Sequence, residues 1–341
     1  MLKRNVALFQ GILFILFIVT GCSAKPPDTS FDVAVDGLYS GALSADANAA
    51  VIGSLNHGGA YWQLNPKERL FNWNHSADAA SVITASALSP DGRYAMTAEQ
   101  QTMVLWDTQT GEDITYWRAP ANIEAIALSN NTDKGVLAAL ALDNHTAVIF
   151  NASFGRIVRE FLHQQRVRSV AISADGTTLL SGAEDHQSIY WSITEGVEIS
   201  RHSHSDEVRL SVLSADLSLA FSVSKYDKAT VWQTADGQPI GNVPILGDAL
   251  RRGRTFSAAR FSADNRMLVT GSSDRMVQLW RLPQLEEVAR WELPKRSSWQ
   301  PAGSAVLDVG FNNTNDVVAI ASNGIIHHMN YALVLSSSSL R

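Results

Sequence analysis

The chain has a single cysteine, Cys22, among its 341 residues. An internal disulfide and any metal cluster built from several thiolates are therefore excluded. Positive charge is also scarce: 27 lysines and arginines stand against 33 aspartates and glutamates, a formal net charge of −6. A protein that grips nucleic acid through its phosphates needs the opposite balance, so no nucleic-acid partner is expected. No glycine-rich phosphate loop and no G-x-S-x-G nucleophile turn occurs. The histidines are poorly arranged for a metal. His327 and His328 are adjacent, which on a strand sends them to opposite faces; His202 and His204, with Asp206 nearby, could share a face, but the repeat spacing below claims His204. No catalytic residue, metal or cofactor is predicted.

The one conspicuous apolar run, interrupted at Gln10, falls short of the about 20 residues that span a membrane. Lys3 and Arg4 precede it and small residues follow, which is the pattern of an export signal. Val19-Thr20-Gly21-Cys22 resembles the lipobox of bacterial lipoproteins, in which the chain is cut before a cysteine that then carries acyl chains. The resemblance implies a signal peptide over 1–21, lipidation (palmitate among the chains) at Cys22, and stable anchoring by more than one chain. The stretch SAKPPDTS is polar and contains proline, so 22–30 reads as the lipidated cysteine and an extended linker. Ser23, where an aspartate would by the same resemblance favour inner-membrane retention, implies the outer membrane, facing the periplasm.

The remainder repeats itself. Trp62, Trp106, Phe150, Trp191, Trp232, Trp280 and Met329 each end a short alternating apolar segment. Each follows a polar triplet beginning at Ser44, Ser89, Ser129, Ser173, Ser214, Ser262 or Asn312, at intervals of 18, 17, 21, 18, 18, 18 and 17 residues. Four short strands per unit of about 40 to 45 residues is the pattern of a propeller blade, whose strands bury their faces only by stacking on neighbours. The fold class predicted is all-β, a seven-bladed β-propeller of four-stranded blades over 31–335 with a tail at 336–341. The last unit supplies three strands, so Phe31 to Val35 is expected to pair outside the strand around Ile325 to Asn330 and close the ring.

The units resemble WD-repeats. The dipeptide itself occurs at Trp106-Asp107, and the fourth unit carries the family's hydrogen-bonding tetrad in full: His163, Ser181, Asp185 and Trp191. The fifth keeps His204, Ser222 and Trp232 with Asp227 one place late; the sixth keeps Thr270, Asp274 and Trp280 without the histidine; the third and seventh lack the tetrad. The resemblance implies a structural role for these residues and a protein-interaction scaffold for the whole.

From each aromatic to the next triplet the spacing is 27, 23, 23, 23, 30 and 32 residues, which places insertions after the first, fifth and sixth units. The last two insertions are basic: Arg251, Arg252 and Arg254 in one, Lys295 and Arg296 with Trp299 in the other. Arginine and tryptophan are enriched at binding hot spots, which makes these the candidate partner-binding loops. The residues opening the innermost strands, near Val82, Ile123, Val167, Val208, Ser257 and Ala305, are mostly apolar or small, which disfavours a catalytic channel. The reading is a lipid-anchored, non-enzymatic scaffold for a protein partner in the cell envelope. An alternative is a binder of anionic envelope glycan or lipid; another is an enzyme with a site in the channel.

Overall fold

The structure is a computed structural model that describes residues 24–76, 80–225, 228–243, 255–296, 304–313 and 316–332. Among them the chain forms seven four-stranded antiparallel sheets, as the repeat spacing predicts. Six are contiguous in sequence; blade three, for example, consists of Ile123–Leu128, Leu137–Leu142, Thr146–Asn151 and Arg156–Leu162. The first strands of successive blades touch one another all the way round, ending with Val306–Phe311 of blade seven against Leu38–Leu43 of blade one. First strands are therefore innermost and fourth strands outermost.

Stacking explains the sequence of each layer. The middle strands of blade three, Leu137–Leu142 and Thr146–Asn151, are buried at every residue, because a neighbouring blade covers each face. Strands buried on both faces read as continuous apolar runs. On the outermost strand of blade two, Asp113–Arg118, only Thr115 and Trp117 are partly covered and the alternation returns.

The recurring triplets make the turn after each first strand. In blades one, two, four, five and six the serine hydroxyl donates to the aspartate two residues on, at 2.5–2.8 Å. The residue after the aspartate is left-handed in each: Ala47, Gly92, Gly176, Leu217 and Asn265, with φ of 50°, 71°, 69°, 63° and 55°. Partial burial opposes charge on Asp216, yet hydrogen bonds from Ser218 and Ser214 pull its carboxyl down to about 2.

Blade seven takes its outermost strand from the other end of the chain. Thr29–Asp32 pairs antiparallel with Ile325–Asn330, Thr29 opposite His328 and Asp32 opposite Ile325. This strand begins two residues before the stretch singled out in the sequence and stops at Asp32; beyond it Val33 and Ala34 both donate to Gly324 O. Nor is the preceding segment a free linker from Lys25 onward. Lys25 bridges Trp291 in parallel, its N–H donating to Arg290 O at 3.0 Å and its carbonyl accepting from Glu292 at 2.9 Å. A polar, proline-containing composition cannot distinguish an extended linker from an extended segment that finds a strand edge. At the inner seam, Arg260 of blade six joins blades seven and one, with Nη2 3.0 Å from Asp308 and Nη1 donating to Ser44 O at 2.6 Å. Burial pushes the Asp308 carboxyl up, opposed by Arg260 and by the N–H groups of Leu43 and Val309.

Candidate interaction surfaces

Among the described residues three blades carry a polar relay inside their stacked sheets, and blade six keeps two separate bonds of it. In blade four Asp185 can only accept, so the proton it holds at 2.9 Å belongs to His163 Nδ1. His163 Nε2 lies 2.8 Å from Ser181 Oγ, and Ser181 Oγ accepts from Trp191 Nε1 at 2.8 Å. Burial opposes charge on Asp185, but the hydrogen bond and charge of His163 and the N–H groups of Gln164 and Gln187 hold its carboxyl below the usual range. The relay ties an inter-blade loop, a turn and two middle strands together. It is framework.

Blade five repeats it with His204 Nε2 2.7 Å from Ser222 Oγ and Trp232 donating to Ser222 at 2.9 Å; Asp227 lies outside the described residues. In blade six Trp280 donates to Thr270 at 2.9 Å and Ser272 to Asp274 at 2.5 Å. Blade two has a relay that the sequence reading missed: His75 Nε2 lies 2.8 Å from Thr97 Oγ1, which accepts from Trp106 at 2.8 Å. His75 stands fourteen residues before Ser89 instead of ten, and the four-residue insertion after the first unit accounts for the difference. Burial pushes its pKa down, against the pull of Glu99 3.6 Å away.

The inner rim differs from the expectation of apolar and small residues. Each first strand of blades three, four and five carries a bulge just after its opening residue, and the bulged residues are Glu124, Arg168 and Arg209. An added residue re-aims a side chain, so the charged residue and not its apolar neighbour occupies the special position. Arg168 lies 2.7 Å from Glu124 and 2.5 Å from Glu184; Arg209 lies 3.6 Å from Glu184 and also pairs with Glu207. Arg166 at 3.5 Å from Glu124 and Lys225 at 3.4 Å from Glu207 end the chain of charges. It crosses three blades.

Of the basic loops, Arg251, Arg252, Arg254 and Trp299 lie outside the described residues, as does Cys22. Lys295 is exposed. Arg296 is engaged by its own chain, donating to Val35 O and pairing with Asp32, so it ties the N-terminal strand to the loop after blade six. Among the described residues no group of three or more His, Cys, Asp or Glu is placed to hold a metal ion, and no helix is long and apolar enough to cross a membrane.

Comparison with protein families gives a match to the WD domain, G-beta repeat family (WD40), over residues 155–192 and 253–281. The first stretch runs from the outermost strand of blade three through the third strand of blade four and contains the full tetrad; the second ends at Trp280 and Arg281. These matches and the seven-bladed ring fit a WD-repeat β-propeller. Comparison of the whole chain with curated proteins gives no match. WD40 propellers are in general protein-interaction scaffolds, and that coarse function fits this chain.

Proposed function

We propose that the protein is a scaffold tethered to a bacterial membrane through lipidated Cys22, on which a closed propeller presents a fixed surface to a protein partner in the cell envelope. The observation that carries the scaffold reading is the closed ring of seven blades with two WD40 stretches inside it. A ring locked by polar relays and blade stacking loses little freedom when a partner docks, so a few anchors suffice for affinity. The tether is supported by the basic start, the apolar run and the Val19-Thr20-Gly21-Cys22 boundary. Placement at the outer membrane rests on Ser23 after the lipid cysteine.

Labelling with palmitate and membrane fractionation test the tether: the native protein is labelled and sediments with membranes, and Cys22→Ser is unlabelled. Equal labelling of both would remove the anchor from the reading. Crosslinking and affinity recovery from envelope membranes test the scaffold, with the native protein compared against a variant neutralised at Arg251, Arg252, Arg254 and Lys295 and carrying Trp299→Ser. One partner recovered with the native form and lost with the variant assigns these loops to it.

A further inference from the structure

Neighbouring blades are joined on their outer side by a recurring contact. A ring nitrogen on the outermost strand of one blade reaches a carbonyl in the last turn of the next. Trp73 donates to Gly111 O at 3.0 Å, Trp117 donates to Ala152 O at 3.2 Å, and His202 Nδ1 lies 3.2 Å from Gly237 O. Between blades three and four the same register position is Phe161, opposite Ala147 as Trp117 is opposite Met103. Phenylalanine has no donor. The turn is met instead by Arg159, two residues upstream, whose Nη2 donates to Thr194 O at 3.2 Å and whose Nη1 would lie 1.9 Å from a Cβ on Gly196. At the preceding seam the equivalent residue is Thr115, a neutral hydroxyl donating to Ala152 O at 3.2 Å.

A seam closed elsewhere by neutral groups thus holds a guanidinium. Arg159 Nε is shut from solvent without a hydrogen-bond partner among the described residues. None of the ion pairs among those residues involves Arg159, Arg156 or Lys134. These three cations line a cleft of about 420 Å³ together with Phe154, Val158 and Ile193, and Asp133 is the one acid in its wall. Arg159 is half-buried, and Arg156 and Lys134 are exposed, so an incoming carboxylate would meet three cations that have no ion pair among the described residues. The cleft's other half is apolar and open, with Phe154 63% exposed and Val158 43% exposed.

Beside the cleft the outer edge of Arg156–Leu162 has no neighbouring strand among the described residues. The chain itself illustrates what such an edge accepts: Lys25 lies along the corresponding strand of blade six through two backbone hydrogen bonds. Blade seven, which holds the N-terminal strand, is flanked by blades one to three on one side and six to four on the other. The seam between blades three and four therefore lies across the ring from blade seven.

Resting on the scaffold reading above, we infer that the cleft between blades three and four docks an extended segment of a partner protein that carries carboxylates beside bulky apolar side chains. The carboxylates meet Arg159, Arg156 and Lys134, the apolar side chains cover Phe154 and Val158, and the backbone adds to the edge of Arg156–Leu162.

Two measurements on the full-length protein, one in detergent and one in cells, test this. A fluorescein-labelled ten-residue peptide alternating leucine with glutamate is titrated against the native protein, Arg156→Gln and Arg159→Thr, the last reproducing the neutral hydroxyl of the preceding seam. The expected result is saturable binding that weakens at least tenfold in each variant, and at least tenfold when glutamine replaces glutamate in the peptide. Arg156→Gln alters only an exposed side chain, so an unfolded Arg159→Thr would leave the test intact. Equal affinity across variants, or for the two peptides, overturns the inference, as does displacement of the peptide by anionic phospholipid vesicles alone. In cells, a photo-crosslinking residue at Phe154 should capture an acidic, apolar segment of another protein; capture of a second copy of this chain overturns the inference. If the partner is recovered by affinity but never through Phe154, the cleft is wrong and the scaffold stands; if none is recovered by either route, both fall.

Discussion

Blades three and four are neighbours with the same four-stranded plan, yet their interiors solve the same problem differently. At the centre of blade four Ser181 links His163 and Trp191. The equivalent place in blade three, opposite Val148 as Ser181 is opposite Ile189, is Leu140, and Phe150 stands where Trp191 does. Leu140 and Ser181 are both wholly buried. A relay whose every donor and acceptor is matched and an interior with no polar side chain at these places are both self-consistent; a mixture would not be. The ring is therefore specified by stacking, and the relay is one way of filling a blade.

The sharpest way to break the comparison is to empty the apolar blade. Leu140→Ala leaves a cavity between two strands that neighbouring blades hold in place, and is expected to cost about 3–5 kcal/mol in denaturant unfolding. A loss below about 1 kcal/mol would mean that blade three collapses around the gap and is not closely packed. Leu140 is a position the repeat spacing could not single out, because the family pattern marks this place by its hydroxyl and blade three has none. The fold was legible in the serine-to-aromatic spacing, which reports turns and strands directly. The bulged Glu124, Arg168 and Arg209 were not, because a one-residue bulge shifts which side chain reaches the rim without changing the spacing. The seam contacts were only half visible: Trp73, Trp117, Phe161 and His202 each stand eleven residues after Trp62, Trp106, Phe150 and Trp191 in turn, but nothing local indicates that their partners lie in the next blade.

Blade seven sharpens the comparison with a polar group that is buried but unmatched. His327 Nδ1 and Ser30 Oγ are 2.7 Å apart across the strand that closes the blade, while Nε2 has no partner among the described residues. Burial, and then the neighbouring His328, push its pKa from 6.5 down to about 4. The folded state thus binds a proton less readily than the unfolded chain. The stability this contributes is complete above pH about 6.5, falls as the pH drops toward 4, and amounts to about 3 kcal/mol at most. Carboxylates titrate in part of the same window, so the measurement is the difference between the native protein and His327→Leu at pH 7 and at pH 4.5. The native protein should lose more stability between the two; parallel losses would show that His327 does not titrate with unfolding.

The relay of blade four should respond more mildly than the apolar centre of blade three. Ser181→Ala leaves Trp191 Nε1 without its acceptor and His163 Nε2 without its hydroxyl, at a cost of about 1–3 kcal/mol. The same substitution in a His163→Leu background should cost less, since one of the two stranded groups is already gone, and a double-mutant cycle reads that coupling directly. Strict additivity would mean that the three side chains are neighbours without being a relay.

Blade one supplies the smallest effect. Trp62 stands at the relay position, but Ile52 occupies the place of the serine, opposite Ala60, and Trp62 Nε1 is shut from solvent with no hydrogen-bond partner among the described residues. In blade four the same indole nitrogen is satisfied by Ser181. Trp62→Phe removes an unmatched donor along with some apolar surface, two effects of opposite sign, so its net cost should stay below about 1 kcal/mol. Trp191→Phe removes the same surface and also the N–H that Ser181 Oγ accepts, and should cost more than Trp62→Phe. Thermal melts of the two variants side by side measure that difference, which is the contribution of the relay with the packing cancelled. If Trp62→Phe proves the more destabilising of the two, the indole of blade one contributes through packing that blade four does not share, and the polar relay would not be what distinguishes these blades.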